Sequence, residues 1–128
     1  MITLHLRFPE AERSHPILLT PGLLDRCGAA LREAGLEGPI ALVSDTTVAA
    51  YHGARVRRSL EEAGFPVLEI LLPPGEKTKT MDTAAGLYRR LAQGGIGRDG
   101  LLIGLGGGVV LDLAGFVAAT YMLSLIHI

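Results

Sequence analysis

Three stretches carry residue types that can hold a phosphorylated ligand. The longest, Leu101 to Tyr121, passes from a short apolar run through Gly106, Gly107 and Gly108 into Val109-Val110-Leu111-Asp112 and an apolar, alanine-rich segment. A strand, a glycine turn and a helix start in that order present backbone N–H groups and a positive helix end to an anion. Taken locally the turn reads G-x-G-x-x-Leu, one residue short of a dinucleotide fingerprint. Glycines at strand-to-helix turns also serve purely conformational ends. Asp112, expected in the first helical turn, suits the helix dipole; its alternative use is hydrogen bonding to ligand hydroxyl or amide groups beside a pyrophosphate.

The second stretch is Pro73-Pro74-Gly75-Glu76-Lys77-Thr78-Lys79-Thr80. Two prolines stiffen it and Gly75 allows a tight turn just ahead of a predicted helix. An exposed loop is the plain reading. Lysines at a helix N-terminus oppose the macrodipole, however, so Lys77 and Lys79 gain if an anion sits there. The third is Asp45, at the end of the apolar run Pro39–Ser44. It can cap the following helix or, at the carboxyl end of a parallel strand, accept hydrogen bonds from ribose hydroxyls. The two uses are compatible.

Composition narrows the classes. With 128 residues, 48% of them hydrophobic, and 17 glycines, one α/β domain with a real core is expected. A net charge of −1 and the absence of Trp argue against nucleic acid as a partner. Cys27 stands alone, in an apolar stripe, which excludes an internal disulfide and a cysteine-cluster metal site. No secretory leader and no membrane-length apolar run are seen, so a soluble cytoplasmic protein without membrane contact is expected.

The elements that must position these stretches follow from periodicity. Ile2, Leu4, Leu6 and Phe8 alternate with polar residues as in a half-buried strand. Pro9 and Glu10–Ser14 turn the chain, and Pro16–Leu19 returns as an antiparallel partner at one edge. Leu23 to Ala34 reads as a helix ending at Gly35. Strands at Pro39–Ser44, Pro66–Leu72 and Leu101–Leu105 alternate with helices at about 48–63 and Met81–Gln93, the last burying Ala84, Leu87, Tyr88 and Leu91. The charged cluster Arg55, Arg57, Arg58, Glu61 and Glu62 reads as a solvated helix face. The resulting fold is Rossmann-like: a mostly parallel sheet with helices on both faces and an antiparallel amino-terminal edge. Its topology brings Asp45, the Gly75–Lys79 loop and the Gly106–Gly108 turn to one sheet edge.

With those residues in view, a family resemblance emerges. Gly106-Gly-Gly-Val-Val-x-Asp112-Leu-Ala-Gly-Phe-x-Ala-Ala-Thr-Tyr121, preceded by Pro74-Gly-Glu-x-x-Lys79 and Ser44-Asp45, resembles the amino-terminal domain of 3-dehydroquinate synthase, in order from Met1 to about Met122. The resemblance implies an NAD-binding domain and, in a second helical domain, a divalent metal (zinc or cobalt) with most substrate contacts. It implies conversion of the sugar phosphate 3-deoxy-arabino-heptulosonate 7-phosphate to 3-dehydroquinate and phosphate in the shikimate pathway, with NAD as a recycled hydride carrier. It assigns Asp45 to the adenosine ribose, Pro74, Gly75, Glu76, Lys77, Thr78 and Lys79 to a cofactor-holding loop, and Gly108, Val109, Val110, Leu111 and Asp112 to the pyrophosphate and nicotinamide side, with Gly106 and Gly107 completing the cofactor-binding set.

Two departures set expectations. The family pattern has glycine where Leu111 stands, which predicts weakened NAD binding that Leu111→Gly would restore. After Met122 the chain reads Leu123-Ser-Leu-Ile-His-Ile128, expected to be a tail outside the domain 1–122, so that the chain is a truncated member without catalytic residues or metal ligands. Its apolar end favours aggregation or a homodimer. The alternatives are a related sugar-phosphate cyclase, a glycerol or iron-dependent alcohol dehydrogenase fragment, and a non-catalytic nucleotide-binding module.

Overall fold

In the computed structural model, which describes residues 1–8, 13–121 and 124–128, the alternating amino terminus forms an antiparallel hairpin of β1 (Ile2–Phe8) and β2 (Arg13–Leu19). The expected turn falls mainly on residues 9–12, outside the described residues. Two expectations for the hairpin are corrected. It is a sheet of its own rather than an edge of the parallel sheet, and Ile2, Leu4, Leu6, Ile17 and Leu19 are exposed, not half-buried. The alternation does specify strands, but a two-stranded sheet has no second layer of its own to cover its apolar face.

A 3-10 turn (Leu23–Arg26) leads into α1 (Cys27–Glu33), so the expected single helix begins as a tighter coil. β3 (Ile40–Asp45) passes directly into α2 (Thr46–Val48), a π-helical turn (Ala49–Gly53) and α3 (Ala54–Glu62). β4 (Val67–Leu72) continues through a 3-10 turn (Glu76–Thr78) to α4 (Met81–Gln93), and β5 (Leu101–Leu105) to α5 (Gly108–Tyr121). Ser124–His127, expected as a tail beyond the domain, is instead β6, an edge strand paired in parallel with β5. An apolar segment beside an unpaired strand edge gains a backbone ladder by joining it.

The parallel sheet has the order β4-β3-β5-β6. Strand β3 is paired on both sides and buried on both faces, as its continuous apolar run predicts. Ala41 and Val43 pack with Ile70, Leu102, Leu87, Leu91, Leu113 and Val117 under α4 and α5. Ile40 and Leu42 pack with Ile103, Leu105, Val56, Leu60 and Cys27 under α1 and α3. Burial raises the Cys27 thiol above its ordinary value, in keeping with a core residue rather than a reactive one.

The helices are anchored by specific contacts. Arg55 forks onto Asp25 at 2.8 and 2.6 Å, and Arg57 meets Glu61 at 2.8 Å, so the charged face is laced by ion pairs. Tyr88 and Tyr121 stack with centroids 6.1 Å apart, the Tyr121 hydroxyl donates to Ile96 O at 3.0 Å, and the Tyr88 and Thr120 hydroxyls are bonded to each other. The Ala-Ala-Thr-Tyr end of the long motif therefore clamps α5 to α4. Between α1 and α3 the contact is closest at Gly28: its N–H donates to Ser59 Oγ at 3.0 Å, and a Cβ added there would stand 2.1 Å from the Ser59 carbonyl oxygen. Gly28→Ala must push the two helices apart, so it is expected to destabilise the domain by about 2 kcal/mol or more, read as a lowered denaturation midpoint without a change in the transition's slope.

Candidate functional site

The parallel register decides where the three stretches end. Asp45 lies opposite Leu72, and Ser44 opposite Leu105, so β3, β4 and β5 finish level and deliver their loops to one edge. The chain leaves β3 to pair on one side with β4 and returns on the other with β5, which makes this edge a topological switch point. The Ser44 hydroxyl, fully buried, donates to Leu105 O at 2.7 Å and ties the two strands together there.

At that edge the glycine turn divides its labour. The Gly106 N–H donates to Ile128 O at 3.3 Å, and Ile128 N–H donates to Gly104 O at 2.8 Å, so Gly106 belongs to the strand ladder. A Cβ on Gly106 would also stand 3.0 Å from Val110 Cβ, which keeps the turn tight against the helix. Gly107 and Gly108 differ: an added Cβ at either meets nothing within 4 Å. Helix α5 begins at Gly108, and the Leu111 N–H donates to Gly107 O at 3.0 Å. The N–H groups ahead of Leu111 are therefore the turn that an α-helix leaves without intrahelical partners. The cradle is open space lined by backbone donors. Val109 and Val110 contribute backbone to it, since their side chains pack into the core.

Asp112 is corrected in place. It is the fifth residue of α5 rather than part of the first turn, because the helix starts at Gly108. It faces across to the second loop, where Lys79 Nζ donates to Asp112 Oδ2 at 2.6 Å and stands 3.9 Å from Glu76 Oε1. The charge that was expected to await an external anion is matched within the protein. The hydrogen bond and charge of Asp112 hold the Lys79 ammonium above the ordinary lysine value of 10.5.

The rest of the second loop is architecture. Gly75 sits at φ 102°, a backbone that glycine alone adopts without strain, with Pro74 beside it exposed. Thr78 is buried, its hydroxyl donating to Pro73 O at 2.7 Å. Lys77 is exposed and is not drawn to Asp112. Thr80, unremarked in the sequence, caps α4 by accepting the Thr83 N–H at 3.1 Å. Asp45 does the same for α2, its Oδ1 accepting the Val48 N–H at 2.8 Å, while Oδ2 has no partner among the described residues. The cap reading holds and one carboxylate oxygen stays available.

Beside the Lys79–Asp112 pair lies a cleft of about 490 Å³ between the start of α4 and one face of α5, lined by Thr80, Met81, Ala84, Leu113 and Phe116. Met81 and Phe116 are large apolar side chains left exposed there. Sequence reasoning missed both, since an apolar residue at helical spacing reads as core. The available signal was position: Phe116 is one turn beyond Asp112, on the same side of α5.

The geometry agrees with the chain's relatives. The pattern of the family described as 3-dehydroquinate synthase N-terminal matches residues 69–128. The 3-dehydroquinate synthase of Citrifermentans bemidjiense is 43% identical over 122 residues, 95% of this chain. The chain therefore matches the amino-terminal part of 3-dehydroquinate synthases. It spans about a third of the length of the curated relatives it matches, 34% in that case. A solved 2-deoxy-scyllo-inosose synthase, complexed with carbaglucose-6-phosphate, NAD+ and Co2+, superposes with a TM-score of 0.86 at 22% identity, covering 99% of this chain and 35% of that one. The 2-epi-5-epi-valiolone synthase of Streptomyces hygroscopicus, with NAD+ and Zn2+ bound, gives 0.73 at 25% identity, covering 91% and 32%. The Rossmann-like assignment stands.

The Lys79–Asp112 bridge carries a pH signature. Because the folded lysine value is raised, the stabilisation is fully present below 10.5 and is lost as pH rises through the folded value. Lys79→Met should therefore lower the melting temperature at neutral pH, and the gap to wild type should close in the alkaline range above the ordinary lysine value; a gap that is constant across that range would assign the effect to packing.

Proposed function

We propose that these residues form the NAD-binding part of a 3-dehydroquinate synthase, acting on a sugar phosphate in aromatic amino acid biosynthesis. The observation that carries this is the cradle at Gly107 and Gly108, open where a side chain would stand, at the N-terminus of a 14-residue helix and at a switch point of the sheet. The residues present fit a dinucleotide. The first-turn N–H groups of α5 bind the pyrophosphate, Asp45 Oδ2 accepts from the adenosine ribose, and Lys79 with Asp112 presents a polar pair beside the apolar cleft for the nicotinamide side. Glu76 and the Pro74–Thr78 turn hold Lys79 in place. When bound, NAD supplies a reversible hydride acceptor for a substrate hydroxyl.

A divalent metal, of the kind named for the two solved neighbours, finds no such fit: among the described residues no three His, Cys, Asp or Glu side chains are grouped to hold one. We assign it to the remaining two thirds of the relatives' length, and with it the chemical steps. Dehydroquinate is favoured over other cyclase products because identity to dehydroquinate synthases reaches 43% over nearly the whole chain, against 22–25% for the two cyclases. No described helix is long and apolar enough to cross a membrane, and a cytoplasmic setting is proposed on the family reading.

The open cradle separates binding from folding. Gly107→Val and Gly108→Val meet no protein atom at Cβ, so stability should stay within about 0.5 kcal/mol of wild type. The same side chains fill the anion's place, and NAD affinity by calorimetry should fall roughly ten-fold or more through lost backbone hydrogen bonds. Unchanged affinity in both variants would remove NAD from this edge. Cofactor binding is expected without phosphate release when the purified 128-residue chain is given NAD, a divalent metal and the heptulosonate phosphate; turnover would place catalysis within these residues.

A further inference from the structure

Leu111 is where the sequence departs from the glycine fingerprint, and on sequence grounds it should crowd the ligand. The structure directs it elsewhere. Leu111 is half-buried, and its Cδ2 lies 3.2 Å from the position a Cβ would take on Gly104, with Ala114 Cβ 3.1 Å from the same point. Gly104 is the fourth residue of β5, buried and paired through its backbone with Val43 of β3 on one side and His127 of β6 on the other. A glycine inside a buried strand costs conformational entropy and forgoes packing, so it usually marks a close approach. Here the approach is that of α5: the helix rests on β5 at Gly104, one turn after the cradle, and Leu111 and Ala114 together close over the space that the missing side chain leaves.

We infer that Gly104 and Leu111 are a compensating pair, positioning residues that set the height of the first turn of α5 above β5 and so keep the Gly107–Gly108 cradle clear. Leu111 in this arrangement does not obstruct the cofactor; it is absorbed by the strand. The inference rests on the NAD reading above only for its effect on affinity. The packing relation stands on the distances.

The chain itself tests it through Gly104→Ala, Leu111→Ala and the double variant. Gly104→Ala in the wild-type background puts a methyl against both Leu111 Cδ2 and Ala114 Cβ, lifts the helix start and should weaken NAD binding about ten-fold; with Leu111 reduced to alanine the Ala114 contact remains, and the same change should cost about three-fold, a coupling within the range of residues in contact. Leu111→Ala alone should weaken NAD binding by about three-fold, since it removes the seat of the first turn without adding a clash. A marked tightening in Leu111→Ala, or equal losses from Gly104→Ala in both backgrounds, would overturn the pair. Backbone amide resonances of Gly107, Gly108 and Val109, recorded without NAD, provide an independent reading. They should move in Gly104→Ala and return toward wild type in the double variant. Displacement that is the same in both backgrounds refutes the coupling. Should wild type bind no NAD, the cofactor reading fails while these resonances still decide the pair.

Discussion

Strand β3 has its backbone paired on both edges and its side chains buried on both faces, and each part of the candidate edge inherits its position from that. A strand in this situation cannot slip by one residue without exchanging the Ala41–Val43 face for the Ile40–Leu42 face, each of which fits a different helical layer. The register to β4 and β5 is fixed as a consequence. Level strand ends then follow, and with them the adjacency of Asp45, the loop after Leu72 and the turn after Leu105. The cradle, the ion pair and the cleft are downstream of one packing constraint.

At that edge the balance of polar groups is worked out locally. Helix starts are satisfied by Asp45 and Thr80, and the Lys79 charge by Asp112. The start of α5 is different: its glycines bring no side chain to cap it, and the space in front of Gly107 and Gly108 is open. The first turn of α5 thus leaves backbone donors facing the space in which the proposed pyrophosphate would sit. Met81 and Phe116 beside it are large apolar side chains left exposed.

The long glycine–aspartate motif turns out to be composite. Gly107 and Gly108 face the cradle, Gly106 and Val110 shape the turn, Asp112 reaches the opposite loop, and Thr120 and Tyr121 brace α5 against α4. Resemblance in a motif therefore reports folding as well as ligand contact. Leu111 illustrates the point in reverse, since its departure from the pattern is met by a glycine seven residues earlier in the chain, in β5.

Periodicity alone specified the strand–helix alternation, the strand buried on both faces, the bounds of α4 and the convergence of three loops on one edge. It could do so because hydrophobic spacing and glycine placement are local properties that burial enforces. The motif residues likewise pointed to the family before any contact was known. What the sequence could not decide were pairings between distant segments. The hairpin's separation from the main sheet, the entry of Ser124–His127 into it, the meeting of Lys79 with Asp112 and the seating of Leu111 on Gly104 each depend on two segments brought together by the folded sheet. Spacing along one chain carries no information about which of several chemically suitable partners lies opposite, and only the packed layers choose among them.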